Sequence, residues 1–376
     1  MPVKFSPRVR ATFQRRLLAW FGAHRRDLPW RASRDPYRVW VAEIMLQQTR
    51  IAAVLPYYQR FLKQIPNVRS LANSREERVL RLWSGLGYYS RARNLRRAAQ
   101  EIITHHGGAF PRTLDEALAL PGIGRYTAAA VLSIAYDEPH AVLDGNVARV
   151  LARLYAVRGD LREPGRWRRL GRIADEILAT DDAGDWNQAL MELGETICTP
   201  LSPRCSACPV GRWCAARARG LTSVIPAPRR KRAPVSMRIA AAILRDPAGR
   251  TLLVRDPGGH DDVLFSRMWQ FPAVEVARDA EAELRAYLAD DLGLDPSALR
   301  LAPLAEARHG VTFRNITLLP FLVNVPRLPP RPRSKILPLV NLRRLPVSSA
   351  TRKIAAAVSG FASAEPRARP KRPREC

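Results

Sequence analysis

Two carboxylates, a glycine hairpin and a group of cysteines carry the chemistry this 376-residue sequence offers. Glu43 stands in Trp40-Val-Ala-Glu-Ile-Met-Leu-Gln-Gln-Thr49, where helical spacing surrounds it with Val39, Trp40 and Leu46. A carboxyl on such an apolar face loses hydration, so its pKa rises and it keeps a proton to donate. The opposing reading is a solvated helix glutamate, the commoner fate of this residue type. Asp144, in Val142-Leu-Asp-Gly-Asn-Val147, precedes a helical run to Tyr155. A capping aspartate is held ionised by the helix N-terminus, and capping alone would also explain it. Taken together, a proton donor and a wet, permanent anion suit the cleavage of a glycosidic bond through a cationic sugar.

Leu120-Pro-Gly-Ile-Gly-Arg-Tyr-Thr-Ala128 is the hairpin. Gly122 and Gly124 allow a tight turn whose N–H groups face outward beside Arg125 at a helix N-terminus, an anion site suited to a phosphate. An ordinary helix–turn–helix loop is the bland alternative. Cys198, Cys205, Cys208 and Cys214 follow the spacing Cys-x6-Cys-x2-Cys-x5-Cys, and the remaining cysteine is Cys376. Four thiols in one short loop indicate a metal or cluster site rather than a disulfide framework. Spacing leaves tetrahedral zinc and an iron–sulfur cluster both open.

These residues must be positioned by helices. Apolar positions recur at steps of three and four over residues 7–220, with turns at Leu28-Pro29, Gly85-Leu86-Gly87 and Gly107-Gly108. Residues 221–236 include Ile225-Pro-Ala-Pro-Arg-Arg-Lys-Arg-Ala-Pro234, a basic, proline-rich linker. Beyond it, residues 237–345 read as a second, mixed domain. Met237–Arg245 and Arg250–Val254 flank a hairpin signature at Asp246–Gly249, Ala280–Leu292 is helical and Val311–Val325 is strand-like. Residues 346–376 are expected to hold a last helix, Ser348–Val358, and a disordered basic tail.

The chain has 62 Lys+Arg against 34 Asp+Glu, a net charge of +28. Residues 1–100 alone hold 21 basic against 5 acidic side chains. Such a surplus predicts a polyanionic partner, nucleic acid before acidic lipid, although an arginine-rich composition alone would give the same charge. No apolar run reaches membrane-spanning length and no signal peptide is read at Met1–Arg16, so a soluble protein without a membrane partner is expected.

Residues 7–220 resemble the helix–hairpin–helix DNA glycosylases. The resemblance rests, in order, on Glu43-Ile-Met-Leu-Gln-Gln-Thr49, Gly85-Leu-Gly-Tyr-Tyr-Ser-Arg-Ala-Arg-Asn94, the glycine hairpin, Leu143-Asp-Gly-Asn-Val147 and the four cysteines. With the second domain, the sequence is similar to the MutY-type adenine-specific branch. The resemblance implies an all-α helix–hairpin–helix domain with a [4Fe–4S] cluster on Cys198, Cys205, Cys208 and Cys214, then an α+β Nudix-like domain. It also implies excision of adenine flipped out of a mispair with 8-oxoguanine or guanine, leaving an abasic site. Glu43 would protonate adenine at N7, and Asp144 with Asn146 would stabilise the sugar cation. The base would be enclosed by Arg26, Leu28, Trp30, Arg31, Leu46, Tyr126 and Gln188. Gln48, Thr49, Leu86, Tyr88, Gly122, Gly124 and Arg125 would meet the duplex, with Tyr88 as a wedge.

Bifunctional relatives place a lysine just after the hairpin. Here that position is Tyr126, and no lysine lies between Lys63 and Lys231, so a monofunctional enzyme is expected. The Nudix resemblance implies a lesion-reading domain without hydrolase activity, since only Asp290-Asp-Leu-Gly-Leu294 remains of the metal-binding box. Its reading loop departs from the family pattern: His309-Gly310 is followed by Val311, Thr312 and Phe313, where Phe-Ser-His is usual. A cytoplasmic, monomeric bacterial protein working at the nucleoid is expected. The alternatives are a thymine-mismatch or endonuclease III-like glycosylase, and a catalytically silent damage-binding protein.

Overall fold

The computed structural model describes residues 5–227, 233–255, 267–311 and 313–358. The tail after residue 358, the linker residues 228–232 and Thr312 lie outside the described residues. The chain divides into two compact units, one of residues 1–82 and 90–231, the other of residues 83–89 and 232–376. No helix among the described residues is long and apolar enough to cross a membrane.

The first unit is helical throughout, and side chains punctuate its helices. Pro7 opens the helix Pro7–His24 behind the Ser6 cap, and Pro36 opens Pro36–Leu46 behind Asp35, whose carboxylate accepts from the Tyr37 N–H at 2.9 Å. Thr113 caps Leu114–Ala119, and Asp144 caps Gly145–Leu154. The helix Ala183–Thr196 packs against Pro7–His24, Arg125–Tyr136 and Gly145–Leu154, while Pro36–Leu46 packs on Arg125–Tyr136. Phe13, Trp40, Phe61 and Trp186 are among the large side chains sealed in this core. Glycines allow two close helix approaches. A Cβ at Gly184 would stand 2.6 Å from the Ser133 carbonyl oxygen, and one at Gly194 would stand 2.9 Å from Asn146 Cβ.

The second unit is a mixed sheet flanked by helices. Its strands are β1 (Val235–Arg245), β2 (Arg250–Arg255), β3 (Trp269–Gln270), β4 (Ala273–Glu275), β5 (Leu301–Pro303), β6 (Ala307–Val311), β7 (Arg314–Asn324) and β8 (Ser334–Pro338). The central order is β3-β2-β1-β7-β5, and the long β1–β7 pair runs parallel from Val235 opposite Arg314 to Arg245 opposite Asn324. The β1–β2 turn is closed by Asp246, which accepts from the Gly249 N–H through its carbonyl and from the Arg250 N–H through its carboxylate. The helix Ala280–Leu292 covers one face through Leu284, Leu288 and Leu292. On the other face lies Ser349–Ala356, whose Ala350, Ile354 and Ala355 join Trp269, Phe271 and Leu318 in a core. That last helix is therefore part of the sheet's packing rather than an appendage beyond residue 345. The single strand expected over Val311–Val325 is corrected. Val311 of β6 pairs antiparallel with Arg314 of β7, so the stretch divides between two paired strands.

Candidate active site

The helix Pro36–Leu46 carries Glu43 inward beside Val39 and Trp40, leaving the residue only 5% exposed. Tyr126, in the first turn of Arg125–Tyr136, donates its hydroxyl to Glu43 Oε2 at 2.7 Å, and Met191 Sδ lies 3.3 Å from the Tyr126 hydroxyl oxygen. Burial pushes the Glu43 pKa up to about 7. The Tyr126 hydrogen bond pulls it down, the charge of Asp144 pushes it further up and that of Arg31 pulls it back. Burial, then the charges of Glu43 and Asp144, hold the Tyr126 phenol well above its ordinary value, so it remains a donor.

Asp144 is half-buried, and its Oδ1 accepts from the Val147 N–H at 2.7 Å. Here the expectation of a wet cap is corrected, because Asp144 is largely withdrawn from solvent. Burial raises the Asp144 pKa, and it outweighs the N–H groups of Val147 and Asn146 and the charge of Arg149. Asn146 is held from both sides: its Nδ2 donates to Glu195 at 3.4 Å, and its Oδ1 accepts from Arg149 Nη2 at 2.9 Å.

Glu43, Tyr126, Asp144 and Asn146 all line one cavity of about 620 Å³. So do Arg26, Leu28, Trp30, Arg31, Leu46 and Gln188, and Gln48 and Thr49 stand at the same cavity. A space this size accommodates a base and its sugar. Other lining residues were not singled out from the sequence, among them Met191, Glu192 and Glu195. They follow Gln188 on the helix Ala183–Thr196 at steps of three, four and seven, the spacing that would have revealed them. Glu192 is buried and salt-bridged to Arg26 at 2.6 Å and Arg31 at 2.8 Å.

In the hairpin the two glycines differ. Gly122 has φ +77°, and a Cβ there would stand 2.6 Å from Asn94 Cβ. Gly124 has an ordinary φ of −96° and open space around it, and it precedes the helix Arg125–Tyr136 without a side-chain cap. Only Gly122 is thus demanded by the turn itself. Arg125 is exposed beside it. In the second unit's segment 83–89, Tyr88 is 41% exposed with φ +48°, whereas Leu86 is buried.

The four cysteines border one cavity. Cys198, Cys205, Cys208 and Cys214 are half-buried and line a small cavity of about 30 Å³. Burial pushes the Cys208 thiol up to about 11, and the other three cysteines add to the rise. Thiols this close resist ionising together unless a bound cation or cluster takes up their charge, so the donor set fits a thiolate-held metal group. Among the described residues, no three His, Cys, Asp or Glu side chains converge as ligands of a single ion. Arg153 braces the loop, with Nη1 3.3 Å from Cys198 Sγ and 2.7 Å from the Thr199 carbonyl.

In the sheet unit, His309 lies on β6, and the Arg314 guanidinium stacks over the Phe313 ring at 4.9 Å. Burial, then the charge of Lys353, lowers the His309 pKa.

A family model for "HhH-GPD superfamily base excision DNA repair protein" matches residues 41–172. The adenine DNA glycosylase of Mus musculus is 36% identical over 350 residues, which cover 79% of this chain and 67% of that protein. That of Homo sapiens is 44% identical over 216 residues, covering 55% of this chain and 40% of that protein. Among solved structures, a thermostable thymine-DNA glycosylase matches with a TM-score of 0.51 and 28% identity, covering 56% of this chain and 97% of its own. The family model and these relatives define the base-excision DNA glycosylase class for this chain. Within it, the chain belongs to the adenine DNA glycosylase family. It spans about two thirds of the mouse protein and less than half of the human one.

Proposed function

We propose that this protein is a monofunctional glycosylase that removes adenine from mispairs with 8-oxoguanine or guanine in double-stranded DNA. The observation that carries the proposal is the dry Glu43 carboxyl, bonded to Tyr126, sharing one cavity with Asp144. Backbone N–H groups of the hairpin and surrounding arginines grip phosphates, and the adenine nucleotide is extruded into the cavity. Glu43 gives its proton to adenine N7 as the N9–C1′ bond breaks, and the bonding pair leaves with the neutral base. The Asp144 carboxylate faces the resulting oxocarbenium-like sugar, with Asn146 beside it. Water then adds to C1′ and releases a proton, giving an abasic site. Tyr126 supplies no amine, so no Schiff base forms at the hairpin position and the strand stays intact.

Cys198, Cys205, Cys208 and Cys214 would hold a [4Fe–4S] cluster. When bound, such a group supplies iron–thiolate bonds that fasten the loop, and no step of base removal passes through it. The sheet unit would read the 8-oxoguanine strand through His309, Val311, Thr312 and Phe313. Gln48, Thr49, Tyr88 and Leu86 would lie at the duplex. The protein would act as a monomer at the bacterial nucleoid.

Duplexes carrying adenine, thymine or thymine glycol opposite guanine or 8-oxoguanine, assayed with and without alkali, test this reading. Adenine release with strand breaks only after alkali supports it. Thymine release, or strand breaks before alkali, overturns it in favour of a thymine-mismatch or endonuclease III-like enzyme. Tight mispair binding without base release would mark a damage-binding protein.

A further inference from the structure

The cavity that Glu43 lines also holds a group that the catalytic steps above leave unused. Glu192 is buried, with its side chain 1% exposed, and it is a member of a three-residue ion cluster. Arg26 reaches it with two parallel bonds, Nε to Oε1 at 2.6 Å and Nη2 to Oε2 at 2.9 Å. Arg31 adds a third, Nη2 to Oε2 at 2.8 Å, and its Nη1 donates to the Arg26 carbonyl at 3.1 Å. One buried carboxylate therefore orients two guanidiniums that both line the space a purine would fill.

We infer that Glu192 is a positioning residue for base removal: it locks Arg26 and Arg31 in place as the purine's edge donors and screens the Arg31 charge from Glu43. The inference rests on the adenine-glycosylase reading above. Burial would push the Glu192 carboxyl up, but its hydrogen bonds to Arg26 and Arg31 outweigh that and hold it below its usual range, so it stays anionic. Glu43 is faced by Arg31 from Pro29–Arg31, Tyr126 from Arg125–Tyr136 and Asp144 from the cap of Gly145–Leu154. Glu192 and Glu195 line the same cavity from Ala183–Thr196. Arg26 and Arg50 also line that cavity, but Arg31 is the cation whose charge pulls on the Glu43 proton, and that pull is opposed by the anion that pairs with it. Neutralising Glu192 leaves two guanidiniums without their counter-ion and strengthens that pull.

The test is single-turnover adenine release from an 8-oxoguanine:adenine duplex across pH, with Glu192→Gln and Glu192→Asp against the unsubstituted full chain. The alkaline limb, where Glu43 loses its proton, should move down by about one unit in Glu192→Gln and return towards its original position in Glu192→Asp. A uniform loss of rate with the limb unmoved would mean a merely structural ion pair and overturn the inference. If circular dichroism shows Glu192→Gln unfolded, Arg31→Gln takes its place, since it keeps the Arg26–Glu192 pair. Removing that cation should raise the limb, and an unmoved limb overturns the inference. Failure of the unsubstituted protein to release adenine would instead defeat the underlying reading, so the two failures are separable.

Discussion

The Tyr126 hydroxyl donates to Glu43 Oε2 at 2.7 Å, across 83 residues of sequence, and joins the helix behind the glycine hairpin to the helix that bears the acid. The contact ties the segment expected to hold phosphate to the group expected to protonate the base. It also sets that group's acidity, because a donor to a carboxylate favours the ionised form while burial favours the neutral one. Burial wins here, and Glu43 sits near neutrality rather than far above it.

Tyr126→Phe removes the donor and keeps the ring. The Glu43 pKa should then rise, moving the alkaline limb of the base-release profile up by about one unit. A limb that moves down would show that the hydroxyl acts in some other way. Single-turnover rates across pH measure this directly.

The raised acidity constant is also a stability statement. Unfolded, Glu43 ionises near 4.5; folded, near 7. Between these values the folded state keeps a proton that the unfolded state releases, so stability falls as pH rises through the interval. Glu43→Gln abolishes that loss. Urea titrations should show the variant gaining on the parent by up to about 3 kcal/mol between about pH 5 and about pH 8.

Much of this site was legible because its chemistry is local in sequence. Glu43 with Val39 and Trp40, Asp144 before its helix and the four cysteines each announce themselves within one turn or loop. What stayed hidden was long-range. Glu192 meets Arg26 and Arg31 from more than 160 positions away, and no local pattern encodes that pairing. Asp144 misled for a related reason: its cap is visible in sequence, but the cavity walls that dehydrate it come from other helices. In the sheet unit, the apolar alternation over Val311–Val325 concealed the break between β6 and β7, since both flanks carry residue types that strands favour. The last helix falls outside the expected 237–345 domain because its partners, Trp269 and Leu318, lie far upstream.

The unequal hairpin glycines separate folding from binding. Gly122→Ala forces a side chain into a left-handed backbone against Asn94 and should cost about 1–3 kcal/mol of stability. Gly124→Ala meets no atom and should leave the melting temperature nearly unchanged, while weakening affinity for DNA of any sequence. Equal destabilisation of both variants would contradict this division. Thermal melts paired with binding titrations distinguish the cases.

Metal analysis tests the cysteine loop. Protein purified without oxygen should contain iron and acid-labile sulfide in equal amounts, and Cys208→Ala should lower both. Zinc in place of iron would assign the loop to the tetrahedral alternative.

The central claim is that Glu43 carries the proton that frees adenine. Single-turnover release of adenine from an 8-oxoguanine:adenine duplex by Glu43→Gln, with affinity for the same duplex measured alongside, tests it most directly. The account predicts a rate lower by about 10²–10⁴-fold with binding retained. A Glu43→Gln protein that releases adenine at the parent rate would contradict it.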